Sequence, residues 1–416
     1  MTLKIRLTVL QFLQFFIWGS WLLTIGAYWF QNKQWSAAHF GAIFSTMGIA
    51  SLFMPAIAGI IADRWVNAEK LYGAFHLCGA AVLFYVPQVN DPTTMFWVML
   101  LNMIFYMPTL ALSLCVSFSA MSSAGMDVVK EFPPIRVFGT IGFIAALWTI
   151  SLCGLETSSA QFYVSSGVSL VLGLYSFTLP SCPPLGKSIG GSLVNNLGLH
   201  AFSLFKNVNM ALFFFFAMLL GAALQLTNAW GDTFLHDFAY MEEYKNSFAV
   251  MHPAVIMSIS QISETLFILT IPFVLRKFGI KKVMFISMIA WVLRFGLLAF
   301  GNPNQGLWMI ILSCIIYGMA FDFFNISGSL FVEKQVEHSM RASGQGLFMM
   351  MTNGFGALLG SSLSGIMIHK YFVIEGRFDW HGIWLSFAGY AGVVALLFLI
   401  LFRKPMEENE PKNVVV

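Results

Sequence analysis

Long apolar runs, each about as long as a membrane-crossing helix, recur along the whole chain and are parted by short polar segments. A helix needs about 20 mostly apolar residues to cross the hydrocarbon of a bilayer. Runs of that kind lie near 7–30, 40–62, 71–89, 94–118, 134–155 and 161–180, and after a gap near 209–231, 250–275, 283–301, 306–330, 342–369 and 384–402. The pattern predicts an all-α membrane protein of twelve transmembrane helices, with both termini on one side.

The polar segments say which side. Cytoplasmic loops of membrane proteins carry the excess of Lys and Arg. With the N-terminus inside, the inner segments hold Lys4, Arg6, Arg64, Lys70, Lys130, Lys187, Lys206, Arg276, Lys277, Lys281, Lys282, Lys334, Arg341, Arg403, Lys404 and Lys412, and the outer loops hold only Lys33, Lys245, Lys370 and Arg377. Both termini are therefore expected in the cytoplasm. The one long inner connection, Pro180 to Val208, is rich in Pro, Ser and Gly and reads as a linker. It divides the chain into a six-helix bundle (1–180), a cytoplasmic linker (181–208), a second six-helix bundle (209–402) and a short cytoplasmic tail (403–416).

Composition narrows the function classes. Charged residues make up 10% of the chain against about 25% in ordinary soluble domains, apolar residues 58%, with 43 Phe and a mean hydropathy of +0.77. A soluble enzyme is excluded, and lipid is the expected solvent. A net charge of +3 gives no reason to expect nucleic acid. The five cysteines, Cys78, Cys115, Cys153, Cys182 and Cys314, lack disulfide or zinc spacing and read as small apolar fillers. The first run, Leu7 to Phe30, is too long for a signal peptide and is expected to stay as the first span.

The turn after the second run, Gly59-Ile-Ile-Ala-Asp63-Arg64, resembles the Gly-x-x-x-Asp-Arg element of the major facilitator superfamily, with Asp63 and Arg64 as the gating-loop residues. A charged echo, Arg276 to Lys282, follows the eighth run. Two bundles related by an axis along the membrane normal can rock about a site near the midplane, which gives alternating access. Small residues at Gly356-x-x-x-Gly360 and Ser361-x-x-x-Gly365 would let helices approach closely.

Charged groups inside a span cost at least about 2.5–3.5 kcal/mol and are functional candidates by default. Glu264 and Asp322 lie mid-span, and an acid shielded from water sheds its charge by taking up a proton. Helical spacing puts Gln261 with Glu264, Gln225 with Asn228, and Tyr317 with Phe321 beside Asp322. Amides and acids next to aromatic faces suit a neutral, planar, hydroxyl-bearing ligand such as a sugar joined to a base. The spacing shows no metal-ligand cluster. Polar packing between helices is the competing reading for Gln225 and Asn228, which this reading puts near the outer end of their helix. Arg294 is expected to snorkel to the outer surface and is left out of the site. Arg136 follows Phe132-Pro133-Pro134-Ile135 and is either an inner-face anchor or a cavity residue sharing a face with Thr140 and Phe143.

Three strings carry a closer resemblance: Ile17-Trp-Gly-Ser-Trp21, Phe132 through Phe143, and Phe321-Asp-Phe-Phe-Asn-Ile-Ser-Gly328. With Thr265 to Pro272 and Met349 to Gly354, they are similar to the bacterial nucleoside:proton symporters of the major facilitator superfamily, the general nucleoside and xanthosine permease type. The resemblance implies proton-driven uptake of nucleosides such as uridine or xanthosine across the bacterial inner membrane. It implies a monomeric multi-pass permease with H+ as the coupling ion and no cofactor. It matches the ligand-lining positions at Arg136, Thr140, Phe143, Gln225, Asn228, Gln261, Glu264, Tyr317, Phe321 and Asp322, and so moves Arg136 from anchor to site. Glu264, Asp322 and Arg136 are the implied proton-coupling set. A facilitator-fold sugar or oligosaccharide proton symporter shares the architecture and is the alternative. An intramembrane enzyme would need a nucleophile or metal set on facing spans, which the eight His, mostly in or near loops, do not supply.

Overall fold

The computed structural model describes residues 2–184, 199–336 and 340–402. Residues 185–198 of the expected linker and all of the tail lie outside the described residues, with Lys187, Arg403, Lys404 and Lys412.

The apolar runs become helices α1 (Leu3–Gly19), α2 (Ala37–Arg64), α3 (Ala68–Tyr85), α4 (Pro92–Ser123), α5 (Val128–Leu152) and α6 (Ala160–Ser176). After the linker come α7 (Val208–Asp237), α8 (Pro253–Phe300), α9 (Leu307–Gln335), α10 (Arg341–Met349), α11 (Ala357–Tyr371) and α12 (Trp380–Leu401). A two-residue hairpin, Val373–Ile374 paired with Arg377–Phe378, is the sheet of the described residues. Polar residues start several helices. Ser36, Asp91, Asn207 and Asp379 each accept a backbone N–H from the first turn they precede, which satisfies donors that a helix start leaves free.

Helix boundaries differ from the runs for identifiable reasons. Eight described helices are long and apolar enough to cross a membrane. The run near 7–30 breaks after Gly19 and resumes as a turn of α-helix and a π-helix, Tyr28–Asn32. The runs near 250–275 and 283–301 are joined as α8, bent at Gly279, whose φ of 74° only glycine adopts easily. The run near 342–369 is cut by a π-helical stretch, Met350–Gly356, between α10 and α11. α7 continues to Asp237, beyond the end of its apolar run.

α1 packs on α5 and α6, α2 on α4, and α3 on α4 and α6; in the second half α8 packs on α9 and α12, and α7 on α11. Two main seams join the halves, α2 against α11 with the π-helical stretch before it, and α5 against the first limb of α8; the turn Ile25–Ala27 also meets α7. The first seam is a backbone contact. A Cβ on Gly41 would run into the Ser361 carbonyl oxygen and stand 2.8 Å from Gly365 Cα. Of the two small-residue pairs in the eleventh run, Gly356 and Gly360 meet Gly221 and Ala222 on α7, while Ser361 and Gly365 meet α2 across the seam. One pair welds the second half and the other brings the halves together.

Gly59, on the same helix as Gly41, has open space around the position of a Cβ. Gly41→Ala is expected to destabilise the protein by about 1–3 kcal/mol through overpacking, whereas Gly59→Ala is neutral or stabilises by up to about 1 kcal/mol. Heat unfolding of both variants in detergent checks the contrast, and equal midpoints would remove the backbone contact from the account.

Candidate functional site

Charge converges on the α5–α8 seam. Arg136 projects from α5 with its guanidinium 4.2 Å from the centre of the Phe15 ring on α1, a cation over an aromatic face. Gly139 makes room for it, since a Cβ there would lie 2.6 Å from Arg136 Nη1. Across the seam, Glu264 on α8 interacts electrostatically with Arg136, at longer range than a direct ion pair. Glu264 in turn couples to Asp322 on α9. Asp322 is 2% exposed, and its Oδ2 has no hydrogen-bond partner among the described residues. The buried Tyr317 lies in the field of Glu264, Asp322 and Arg294, and its ring stacks on Phe321 at 5.9 Å and 9°. Two acids, two guanidinium groups and a stacked aromatic pair thus share one neighbourhood.

Next to this group is a cavity. Thr227, Asn228 and Asp232 line it from α7, Met257, Ser260 and Gln261 from the first limb of α8, Arg294 from the second limb, Tyr317 from α9, and Leu23 from the first half of the chain. Its acceptors are underused. Gln261 Oε1 and both Asp232 carboxylate oxygens lack hydrogen-bond partners among the described residues, as does Gln225 Oε1 nearby on α7. Buried polar atoms are normally paired, so such a set suits a ligand carrying several hydroxyl donors.

Of the residues expected in the site, Asn228, Gln261 and Tyr317 line the cavity, and Arg136, Glu264, Tyr317 and Asp322 form the charged group beside it. Gln225 and Asn228 sit well inside α7, not near its end, because the helix runs on to Asp237. Phe143 is buried edge-on against Trp18 on α1, and Thr140 is half-buried one turn from Arg136. Asp63 is exposed at the end of α2 and Arg64 partly so, and neither lines the cavity.

Arg294 overturns its reading as a snorkelling residue. It is 1% exposed and held inside by Thr227 Oγ1 at 3.3 Å, the Ser313 carbonyl at 2.6 Å and Ser260 Oγ at 3.4 Å, with its guanidinium 4.6 Å from the Tyr317 ring centre. The side chain points between helices rather than along its own toward the surface. Asp232 was also missed. It falls just beyond the apolar run near 209–231, and only its spacing of four from Asn228 hinted that it continues the same face.

A second polar cluster ties the halves together. His236 Nε2 is hydrogen-bonded to Glu156 Oε2, from the segment before α6, and lies 3.6 Å from Asp232 Oδ2. Glu156 Oε1 also accepts from the Ala254 N–H at 3.3 Å. The potential ligand atoms of Glu156, Asp232 and His236 all lie within 4.8 Å of one another, a grouping that spacing along the chain could not show. Nearby, Trp148 Nε1 donates to Ser258 Oγ at 2.9 Å, Ser151 meets His252 at 3.3 Å, and Gln31 Nε2 donates to the His236 carbonyl at 3.3 Å. All these bonds except the His236–Asp232 approach cross between halves, at the ends of α5 and α7 that the charge pattern assigns to the outside. At the opposite ends, pairs among the described residues include Lys4 with Glu131 and Arg341 with Glu333, each within one half, and Asn67 with Ser181 at the start of the linker.

With this geometry in place, the similarities are specific. The family model described as nucleoside H+ symporter matches residues 1–407. The chain is 54% identical to the xanthosine permease of Escherichia coli K12, over 99% of both chains. It is 52% identical to the nucleoside permease NupG of the same organism, over 97% of this chain and 96% of that one. The crystal structure of the nucleoside transporter NupG superposes with a TM-score of 0.92 at 51% identity, covering 97% of this chain and all of the other.

Removing one partner of a buried pair costs about 3–5 kcal/mol. Glu156→Ala and His236→Ala are each expected to lower stability by an amount of that order, and the double variant by clearly less than the two together. Heat unfolding of the four proteins in detergent measures the coupling, and strict additivity would mean that the two side chains do not act as a pair.

Proposed function

Because the chain belongs to the nucleoside H+ symporter family, we propose that it imports nucleosides by proton symport, with the cavity between α7, α8 and α9 as the substrate site. It is a transporter and not an enzyme. The observation that carries the assignment of the site is the convergence of Arg136, Glu264, Asp322 and Tyr317 beside a cavity lined by unpartnered acceptors. The sugar-symporter alternative is not favoured, since both close relatives are named for nucleosides or a nucleoside.

In this reading twelve helices cross the bacterial inner membrane, as two six-helix bundles over 1–180 and 209–402, with the linker 181–208, the tail 403–416 and both termini in the cytoplasm. The two limbs of α8 count as separate spans, and the short α1, α6 and α11 are extended by the turns and π-helical stretches that flank them. The protein works as a monomer, and the Asp63-Arg64 turn takes part in gating between conformations. Polar ties at the outer ends, together with the described inner-end pairs, support reading this as the inward-facing arrangement.

Transport follows from charge. Two bundles can rock past a dry closed state only if no bare charge is stranded in it. In the outward-facing form a proton neutralises Glu264 or Asp322. The nucleoside then places its base against Tyr317, Phe321 or Phe143 and its hydroxyls on Gln225, Asn228, Gln261 and a carboxylate, with Thr140 beside Arg136 completing the first-half wall. The site, electrically quiet, swings inward. There Arg136 attracts the acid as it ionises and so promotes release of the proton. A membrane potential of 100 mV contributes about 2.3 kcal/mol per proton, roughly fiftyfold accumulation at one proton per nucleoside.

Glu264→Gln is expected to keep nucleoside binding but to lose uphill uptake in proteoliposomes under an inward proton gradient, while still equilibrating uridine. Asp322→Asn tests the other acid in the same assay. If both amide variants together still concentrate uridine and still carry protons inward with it, the coupling scheme is wrong.

A further inference from the structure

Of the residues lining the cavity, Arg294 is the one cation. It is 1% exposed, and no acid comes within ion-pair distance of it among the described residues. Its neighbours are oxygens, a sulfur and a ring: Nε to Thr227 Oγ1, Nη1 to the Ser313 carbonyl, Nη1 and Nη2 both to the single Ser260 Oγ at 3.4 Å, the Cys314 side chain, and the Tyr317 face. A guanidinium has five N–H donors. Four of them go to three oxygens, the two longest sharing one acceptor, and the Cys314 sulfur, a weak acceptor, also lies beside the guanidinium. A buried cation held this way is positioned by its neighbours but not neutralised by them, and the cavity is the side on which a further acceptor can enter.

The remaining cavity groups sort the other way. Asp232, Gln261 and the adjacent Gln225 present acceptor oxygens without a hydrogen bond among the described residues, Asp232 Oδ2 having only the 3.6 Å approach of His236 Nε2. A nucleoside has one part rich in hydroxyl donors, the sugar, and one part whose edge carries acceptors or donors according to the base. The hydroxyls suit the acceptor side of the cavity, which leaves the edge of the base for Arg294.

That edge distinguishes bases. A 6-oxopurine offers two adjacent acceptors, O6 and N7, the pair that a guanidinium reads in nucleic acids, whereas adenine puts an amino donor in place of O6. Among pyrimidines, O4 is an acceptor where cytosine carries an amino group. Against Arg294 an amino group sets N–H against N–H and leaves a buried donor unpaired, which is the arrangement that binding sites discriminate against most strongly. We propose that Arg294 is a specificity-determining residue that selects nucleosides with a carbonyl at purine position 6 or pyrimidine position 4 over their amino counterparts. The proposal rests on the nucleoside reading of the cavity and adds to it the class of base.

Proteoliposome uptake of inosine, adenosine, uridine and cytidine under one imposed proton gradient tests it, in wild type, Arg294→Gln and Arg294→Lys. Wild type is expected to favour inosine over adenosine and uridine over cytidine by about tenfold, within the spread of a good base contact. Arg294→Gln should bring both ratios close to one, mainly by weakening inosine and uridine, while a cooperative heat-unfolding transition in detergent shows that the variant is folded. Arg294→Lys, which keeps the charge but not the planar fork, should leave intermediate ratios. A wild type without preference, or variants that slow all four substrates equally, overturns the proposal; should Arg294→Gln fail to fold, unchanged ratios in Arg294→Lys overturn it just as well. If none of the four nucleosides is taken up, the nucleoside reading fails and this inference with it, whereas uptake without preference removes this inference alone.

Discussion

The interaction on which the structure turns is the field between Arg136 on one half and Glu264 on the other. Lipid gives no compensation for a charge, so an interior guanidinium or carboxylate must find its counterpart within the protein or give up its charge. Placing the partners on opposite halves makes their attraction depend on how the halves are arranged. Asp322, behind Glu264 and lacking a partner for one oxygen, adds a like charge that disfavours having both acids ionised at once. Under the proposed scheme a proton would have its place in this seam, and Arg136 would balance the carboxylate left when it departs.

Packing serves this electrostatic arrangement. The α2–α11 contact, closed down to the backbone at Gly41 and Gly365, is a smooth surface without interlocking side chains at that point, which suits two bodies that must slide and tilt. The outer ties are of a different kind: directional bonds from Glu156, Trp148, Ser151 and Gln31 to the second half. Such bonds hold at one geometry and would be lost altogether if the ends parted. A bistable element of this sort, rather than a continuously deformable one, is what a two-state transporter requires. Asp232 joins the two regions, lining the cavity while standing 3.6 Å from His236, so a ligand in the cavity and the tie above it meet on one side chain.

The apolar runs were enough to locate the helices, because lipid exposure enforces hydrophobicity over whole turns whatever the packing. Their ends were not, since a helix goes on through polar residues wherever protein replaces lipid. α7 shows this at Asp232 and His236, both buried and both beyond the apolar run. Glu264 and Asp322 stood out as charges in the middle of apolar sequence. Arg294 stood out equally, but a long side chain near a helix end can reach water in sequence terms, and only the three-dimensional neighbours, Thr227, Ser260, Ser313 and Tyr317, hold it inside. The Glu156–His236 pair was beyond reach for another reason. Its members are 80 residues apart on different halves, and no helical periodicity relates them.

These placements bear on how the proposed coupling would arise. In the proposed scheme a nucleoside in the cavity would cover the oxygens of Asp232 and Gln261 that lack hydrogen bonds among the described residues and would keep water from Glu264 and Asp322. Losing that water makes the ionised form of each acid more costly, so the occupied cavity favours the protonated state, and by reciprocity the protonated state favours the occupied cavity. Neither ligand alone satisfies both requirements: an empty protonated site leaves buried acceptors without donors, and a filled ionised site carries a charge into the closed state. Symport then follows from what each partially loaded form would cost in crossing, with no separate device needed to forbid it.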